Sequence, residues 1–447
     1  MNLLEAYKDR LAVSEKVYAK AHLGESMSSH KKIAVAKCLE NANKFMNEAF
    51  ENSQGTQRSD LGMFKKFTMN LTTVALPNLI AYDLVIVQPM SSLSGFITYV
   101  QYTAGTNKGD TKRGDIFNSP FGLGTLDAEG NSKPLDVNYT SDRVVETVTV
   151  DAQGKANLAW FPVVKREDAE GADISVEVVG NAGVTVTEVD YETGLVTFAG
   201  TSDEQQIKVR YVYDNVVIPQ NDLPLVNAEI KSIALVAKAR RVAVYYSQIA
   251  AFQAKTDYRF DLGDQLAEKA VGQLSYEIDT EITQLLIDNA AQDGDLVWSK
   301  TLPVGVSKTE HYEGFVEILE IARQKIYDRT KRFAPNYMLI ASNVLPILTF
   351  IKGFTAAPAG NVNGPYFAGT LNGLKVFVTP NIEAGKFVIG VNGDDMMSSA
   401  AVYAPYMAIV PTQLLGYADG GMSQGWSTLY DLKLLNKNLL VSGRVTA

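Results

Sequence analysis

Residues 261–289 read DLGDQLAEKAVGQLSYEIDTEITQLLIDN, and this stretch decides what kind of framework the chain builds. Leu262, Leu266, Ala270, Leu274, Ile278, Ile282 and Leu286 advance by fours, which on a helix of 3.6 residues per turn aligns them on one face. Asp261 is the expected N-cap, with Asp264 in the first turn where the helix dipole favours negative charge. Run unbroken to Asn289, the helix is a rod on the order of 40 Å long. Such a rod suits the backbone of a flat domain better than a loop-bearing catalytic framework.

On its N-terminal side, Ile230 to Tyr246 reads as one β run, with Ile233, Leu235 and Ala237 on one face and Lys238, Arg240 and Arg241 turned the other way. Before it, residues 144–214 form an all-β module of short strands with turn signals at Asp151–Gly154, Gly180–Gly183 and Asp190–Gly194. Its expected strands include ANLAWFPVV, residues 156–164. The flanking chain differs in character, so the module reads as a small sandwich inserted at an exposed loop. Thr103 to Asp136 loses periodicity and fills with Gly, Asn, Asp and Lys; a loop that long calls for a partner or a function. Leu84–Val87 and Phe96–Tyr102 read as strands, and the first 60 residues as two helices broken at Gly24–Ser29. Two readings of that helical pair stand open: a hairpin packed on its own domain, or an arm docked on a neighbouring subunit.

Beyond the rod, Tyr312–Arg329 is amphipathic, Val344–Ile351 a short helix, and Lys352–Gly373 a Gly/Pro/Asn-rich loop. Tyr337–Ala341, Leu374–Thr379, Phe387–Val391, Val402–Val410 and Trp426–Leu435 read as strands. The mixture gives an α+β fold.

The composition narrows function. Apolar residues at 46% of 447 exclude a disordered chain, and the single cysteine, Cys38, excludes an internal disulfide. The start, MNLLEAYKDRLAVSEK, lacks the apolar core of a signal peptide, and no apolar stretch reaches membrane-spanning length. A net charge of -9 argues against a protein that coats nucleic acid. The charge is uneven: residues 140–215 hold 14 acidic against 6 basic residues, whereas residues 1–70 hold 8 against 11.

No reaction centre assembles from the residues. Only His311 of the three histidines lies in the folded body, no Gly-x-Ser-x-Gly elbow accompanies it, and a surface helix start explains it better. Gly122-Leu-Gly124 follows no strand and opens no helix, so it fails as a dinucleotide loop. Asp293-Gly-Asp295 and Gly393-Asp-Asp395 lack calcium-loop spacing and read as turns. No metal, cofactor or catalytic residue is expected. The chain offers surfaces instead: a basic helical segment, a long loop carrying a module, a rod, and 21 tyrosines, a type enriched where proteins associate.

Pro77-Asn-Leu-Ile-Ala-Tyr-Asp83 followed by Val87-Gln-Pro-Met90 resembles the start of the folded core in major capsid proteins of T-even-type tailed bacteriophages. Val236-Ala-Lys-Ala-Arg240 leading into the rod with Glu277-Ile278 and Glu281-Ile282, then Tyr403-Ala-Pro-Tyr406, continue the resemblance in order over most of residues 75–435. The resemblance implies the Hong Kong 97-type capsid fold. On that mapping, residues 1–75 are a helical N-terminal arm, and 76–143 the core strands and first part of the extended E-loop. Residues 144–214 are the inserted β domain, and 215–300 the end of the E-loop and the peripheral (P) domain with spine helix 261–289. Residues 301–410 are the axial (A) domain, and 411–447 a return to the P domain.

The implied function is self-assembly into the icosahedral head of a tailed phage, in the virion, around packaged double-stranded DNA that is enclosed without sequence-specific binding. Synthesis falls in the host bacterial cytoplasm. The implied partners are copies of the chain in hexamers and pentamers, with vertex, portal, scaffold and decoration proteins; no membrane is involved. Expected inter-subunit contacts are Lys108, Lys112, Arg113, Asp115 and Phe117 in the loop, and Phe354, Tyr366 and Phe367 near the ring axis. Relatives trim the N-terminus after a hydrophobic-x-Glu pattern, which Leu23-Gly24-Glu25 or Leu3-Leu4-Glu5 fits, yet such tripeptides arise often by chance, so an uncleaved arm is expected. Lys–Asn crosslinking is not expected, since no partner Asn or catalytic Glu stands out for Lys108 or Lys112. The alternatives are a paralogous vertex protein, separated by copy number, and an encapsulin-like compartment, separated by nuclease-protected DNA. A hydrolase with an accessory β module would instead show turnover by a monomer.

Overall fold

The computed structural model describes all residues except 1–2, 22–23, 52–68, 71, 110, 119–138, 169–170, 182, 217–222, 258, 260–261, 331–332, 358–363, 394, 413–414, 419 and 447. Two compact units emerge, one from residues 1–97 with 232–447 and the other from residues 98–231. The chain passes between them along Ser94–Ala104 and Val226–Val236, neighbours in a three-stranded sheet completed by Ile116–Asn118.

In the first unit the rod is a 28-residue helix, Leu262–Asn289. Ala270, Leu274, Ile278, Ile282 and Leu286 are buried as their spacing requires, and Ala267 and Val271 widen the stripe. The expected N-cap, Asp261, lies outside the described residues. Part of this face packs on Ile409 and Trp426 of a five-stranded sheet. The sheet runs Ile86–Val87, Ala401–Pro411, Gly421–Leu434, Lys238–Ser247, with Leu415–Gly416 also on Gly421–Leu434. The single run expected from Ile230 to Tyr246 is in fact two strands, Val226–Val236 and Lys238–Ser247. Ala237 separates them because the chain changes sheets there, its N–H donating to the Leu93 carbonyl at 2.8 Å.

A seven-stranded sheet runs Ala291–Ser299, Leu440–Thr446, Lys386–Gly390, Tyr337–Ala341, Leu374–Thr379, Tyr366–Leu371, Phe354–Ala356. Its central strand, Tyr337–Ala341, is buried at every residue, which is why its sequence is an unbroken apolar run rather than an alternating one. Helix Phe315–Thr330 buries Phe315, Leu319, Ala322 and Ile326 against the unit's core. The chain's last two strands divide between the sheets: Gly421–Leu434 joins the first and Leu440–Thr446 the second.

Of the two readings of the N-terminal helices, the self-packed one describes helix Ser29–Glu51, whose Ala34, Val35, Cys38, Leu39, Ala42 and Met46 are buried in this unit's own core. Asn41 Nδ2 donates to the Met90 and Tyr406 carbonyls, both at 2.7 Å, tying the helix to the first sheet. Burial pushes the Cys38 thiol up to about 12, so it stays an unreactive neutral group.

In the second unit the module is all-β. Arg143–Thr149, Gln206–Val212 and Val176–Val179 form one antiparallel sheet; Lys155–Asn157, Leu195–Ala199 and Thr185–Val189 form another. Val144, Leu158, Trp160, Val196, Phe198 and Ile207 belong to their shared core. Of the strand expected over residues 156–164, the start pairs with a strand, the end makes only an isolated bridge, Val163 to Tyr213, with the Val164 amide donating to the Val212 carbonyl at 2.8 Å, and residues 158–162 join no ladder. Pro162 has no N–H to offer a ladder, and the Ala159 and Trp160 amides donate instead to Glu146 and to the Tyr211 hydroxyl, at 2.9 and 3.1 Å.

Candidate assembly surfaces

The Pro77–Asp83 stretch owes its position to two buried carboxylates. Asp279 on the rod accepts from the Ile80 amide at 3.1 Å, at the start of the short helix Ala81–Leu84. Burial holds its carboxyl well above the usual range, against the pull of the Ile80 and Ala81 amides. Asp83 is met by Tyr18 Oη at 3.2 Å, Lys375 Nζ at 3.3 Å and Lys31 Nζ at 3.7 Å. Lys375 also pairs with Glu25 at 2.6 Å. Farther along the rod, Arg240 donates from Nε and Nη2 to Glu281, both at 2.9 Å, and Tyr430 Oη donates to the same carboxylate at 2.8 Å. These charges hold the unit's own elements together.

The groups discounted as chemistry also have structural roles. The His311 ring stacks on Trp298 at 4.7 Å, with Nε2 2.9 Å from the Ser299 carbonyl oxygen. Asp295 pairs with Lys325 at 3.0 Å, and Asp395 caps the turn Met396–Ser398. Among the described residues, no three of His, Cys, Asp and Glu gather as a metal site. None of the helices there is long and apolar enough to cross a membrane.

Of the residues expected to touch a neighbouring subunit, Lys108 faces its own chain. It is 1% exposed, and its Nζ donates to the Tyr139 carbonyl at 3.0 Å and to the Ser141 carbonyl. The Tyr213 and Trp160 ring centroids lie 5.0 and 5.7 Å from the ammonium, so carbonyl oxygens and ring faces, all electron-rich, cage it. Lys112 and Arg113 are exposed on the adjoining turn. Their backbone amides donate to Asp115 Oδ2 at 2.9 Å and to Asn107 Oδ1 at 2.7 Å, which uses the half-buried Asp115 carboxylate within the turn. Phe117 lies on the short strand Ile116–Asn118, and its side chain is outside the described residues.

Phe354, Tyr366 and Phe367 come together on one hairpin at the edge of the seven-stranded sheet. All three are half-buried against the core, the Phe367 ring tilted against Phe377 with centroids 5.4 Å apart. The loop expected over Lys352–Gly373 thus contains two paired strands, Phe354–Ala356 and Tyr366–Leu371; its residues 358–363 lie outside the described residues. Gly369, at φ +150°, makes the hairpin possible, because a Cβ there would lie 2.2 Å from the Thr355 carbonyl oxygen.

Sequence reasoning missed the uncovered strand faces. Within the second unit, Val226 and Ile230 share one face of their strand, 48% and 78% exposed, while Asn227, Glu229 and Lys231 occupy the other, also exposed. The alternation VNAEIK was the available signal, but alternation alone does not say which face, if either, the subunit covers.

An α+β body with its buried charges used internally and apolar side chains left on open strand faces is built to associate. Residues 61–439 match the family described as Major capsid protein Gp23. The chain is 24% identical over 391 residues to the major capsid protein of Enterobacteria phage T6, covering 77% of this chain and 72% of that one. To that of Vibrio phage KVP40 it is 21% identical over 491 residues, with coverage of 92% and 88%. Among solved structures, the capsid of Myoviridae Phage XM1 aligns at 7% identity and a TM-score of 0.36, over 64% of this chain and 90% of that one. A virus-like particle from Pyrococcus furiosus aligns at 14% and 0.30, over 50% and 81%. The chain belongs to the Gp23 family of major capsid proteins. It is therefore a structural protein of the phage head that assembles with its own copies into the capsid shell of the virion.

Proposed function

We propose that copies of this chain close into hexamers and pentamers of an icosahedral head that encloses double-stranded DNA without reading its sequence. The observation that carries this reading is Ile230, 78% exposed in the first part of its strand, residues 226–232, where both faces are open. An apolar strand face in water is an association surface, and a neighbouring copy is the partner a shell supplies. Modest contacts repeated around closed rings give a shell far more stable than any one of them. Residues 95–225 serve as the extended loop reaching that neighbour, through Lys112, Arg113, Asp115 and Phe117. The hairpin carrying Phe354, Tyr366 and Phe367 lies at the ring axis.

On the same reading the framework is of Hong Kong 97 type, with residues 226–300 and 411–447 peripheral and 301–410 axial. The acidic module faces outward, where 14 acidic against 6 basic residues do not repel packaged DNA. The subunit works without catalysis, is made in the host bacterial cytoplasm, and meets vertex, portal, scaffold and decoration proteins during assembly.

Electron microscopy of the purified chain tests the proposal. Shells or tubes are expected from the natural sequence, and dispersed, folded subunits from Ile230→Asp. A natural chain that stays monomeric sinks the assembly reading, and normal shells from Ile230→Asp sink the role given to this strand.

A further inference from the structure

Helices Lys8–Ala21 and Ser29–Glu51 are fixed to the same body by different means. The second is buried along a broad apolar face. Of the first helix's described residues, only Leu11, Ser14 and Tyr18 are buried, a stripe one side chain wide. Two of those three hold on by polar atoms. Ser14 Oγ donates to the Thr73 carbonyl at 2.9 Å; Tyr18 Oη donates to Asp83 at 3.2 Å and accepts from Lys31 Nζ at 2.8 Å. The Lys31 ammonium also lies 5.0 Å from the Tyr18 ring centroid, and two further ties, Glu15 to Lys32 at 2.9 Å and Arg10 to Asn70 at 3.0 Å, are partly or fully exposed, where water and salt compete with them.

Between the helices Gly24 has φ +85°, and it, Glu25 and Ser26 are exposed, so the chain has room to turn there; turning carries Leu3, Leu4 and Tyr7, half-buried against the same core, along with the helix and leaves Glu25 tied to Lys375 at 2.6 Å. The latch residue can also let go. If Tyr18 withdraws, Asp83 still faces the ammonium groups of Lys375 and Lys31, so release strands no buried charge. Helix Ser29–Glu51, by contrast, cannot leave without exposing seven fully or nearly fully buried side chains, from Ala34 to Met46.

We propose that helix Lys8–Ala21 is a releasable strap, which lifts from the body about Gly24 while helix Ser29–Glu51 stays docked. It lies outside the residues 61–439 that match the family, so the family match does not account for it. Lifted, it presents Lys8, Arg10, Lys16 and Lys20 against Asp9 and Glu15 on a free basic helix, and uncovers the Leu76–Asn78 turn on which it packs.

Hydrogen-exchange mass spectrometry on the full-length, unassembled chain tests this whether or not shells form. Backbone amides of residues 12–21 are expected to exchange at least about tenfold faster than those of residues 33–46. Tyr18→Phe, which keeps the ring and removes the latch hydroxyl, is expected to speed the first set by roughly a further tenfold and leave the second unchanged. Equal protection of the two helices in the natural chain overturns the proposal. So does a Tyr18→Phe variant in which both sets accelerate together, or in which neither changes.

Discussion

The guanidinium of Arg240 meets the carboxylate of Glu281 through two parallel hydrogen bonds of 2.9 Å, joining a strand of the five-stranded sheet to the rod helix. The Tyr430 ring lies 4.8 Å beneath the guanidinium, and its hydroxyl reaches the same carboxylate, so three elements converge on one ion pair. Burial pushes the Glu281 carboxyl up, but the bonds from Arg240 and Tyr430 outweigh it and hold it below the usual range. A carboxylate depressed in the folded state adds stability above its unfolded value, and that stability is lost as pH falls through the folded one. Arg240→Ala is therefore expected to cost about 1 kcal/mol at neutral pH, kept small by partial exposure. The difference from the natural chain should shrink in acid; urea unfolding at pH 7 and at pH 3 checks both the size and the sign.

Asp279 has the opposite sign. Its carboxyl is raised by burial, so the folded state favours the protonated form, and the stability this lends is present at low pH and lost as pH rises above the ordinary carboxylate value. Asp279→Asn keeps an acceptor for the Ile80 amide without the cost of burying or protonating a carboxylate, and is expected to be neutral or stabilising at pH 7. Asp279→Ala leaves that amide without its acceptor and is expected to cost about 1–3 kcal/mol. Thermal unfolding of the two variants side by side separates the hydrogen bond from the charge.

The contrast between these carboxylates and the rod that bears them shows what the sequence could disclose. The stripe from Ala270 to Leu286 was legible because burial of one helix face repeats every turn, and the observed helix starts within a residue of the expected one and ends at the same Asn289. The module was legible because turn residues punctuate its strands. Asp279 was not: its partner is an amide 199 positions away, and no local pattern encodes a contact made only after folding. The polar loop around Lys108 reads in sequence as one that needs a partner, whereas the rings that enclose the ammonium, Trp160 and Tyr213, come from the module of the same chain. The open strand faces were hidden for a related reason: periodicity reports that faces differ, and burial is decided by what else is present.

Lys108 and Lys112 are expected to differ sharply in reactivity. An amine-acylating reagent applied to the folded chain should modify the exposed Lys112 and spare Lys108, whose ammonium is enclosed by two carbonyls and two rings. Peptide mapping reads the ratio directly, and comparable labelling of the two lysines contradicts the cage. Lys108→Ala empties that enclosure and leaves its carbonyls short of a donor, at an expected cost of about 2–4 kcal/mol to the unit formed by residues 98–231.

Gly369 is the position where a single methyl group should undo an element. Its φ of +150° is one that side-chain-bearing residues rarely adopt, and a Cβ would approach the Thr355 carbonyl oxygen to 2.2 Å and Ala356 Cα to 3.0 Å. Both neighbours are backbone of the paired strand, so neither can move aside without breaking the register Phe354↔Leu371, Thr355↔Thr370, Ala356↔Gly369. Gly369→Ala is expected to detach the edge strand Phe354–Ala356 at a cost of about 2 kcal/mol or more, while the buried strands Tyr337–Ala341 and Leu374–Thr379 hold. Hydrogen exchange should show protection lost at residues 354–356 and 369–371 and retained at 337–341. Because Phe354, Tyr366 and Phe367 sit on this hairpin, the same variant should fold yet form closed shells poorly in electron micrographs. Normal shells from a subunit with a detached edge strand would remove this hairpin from the ring contacts.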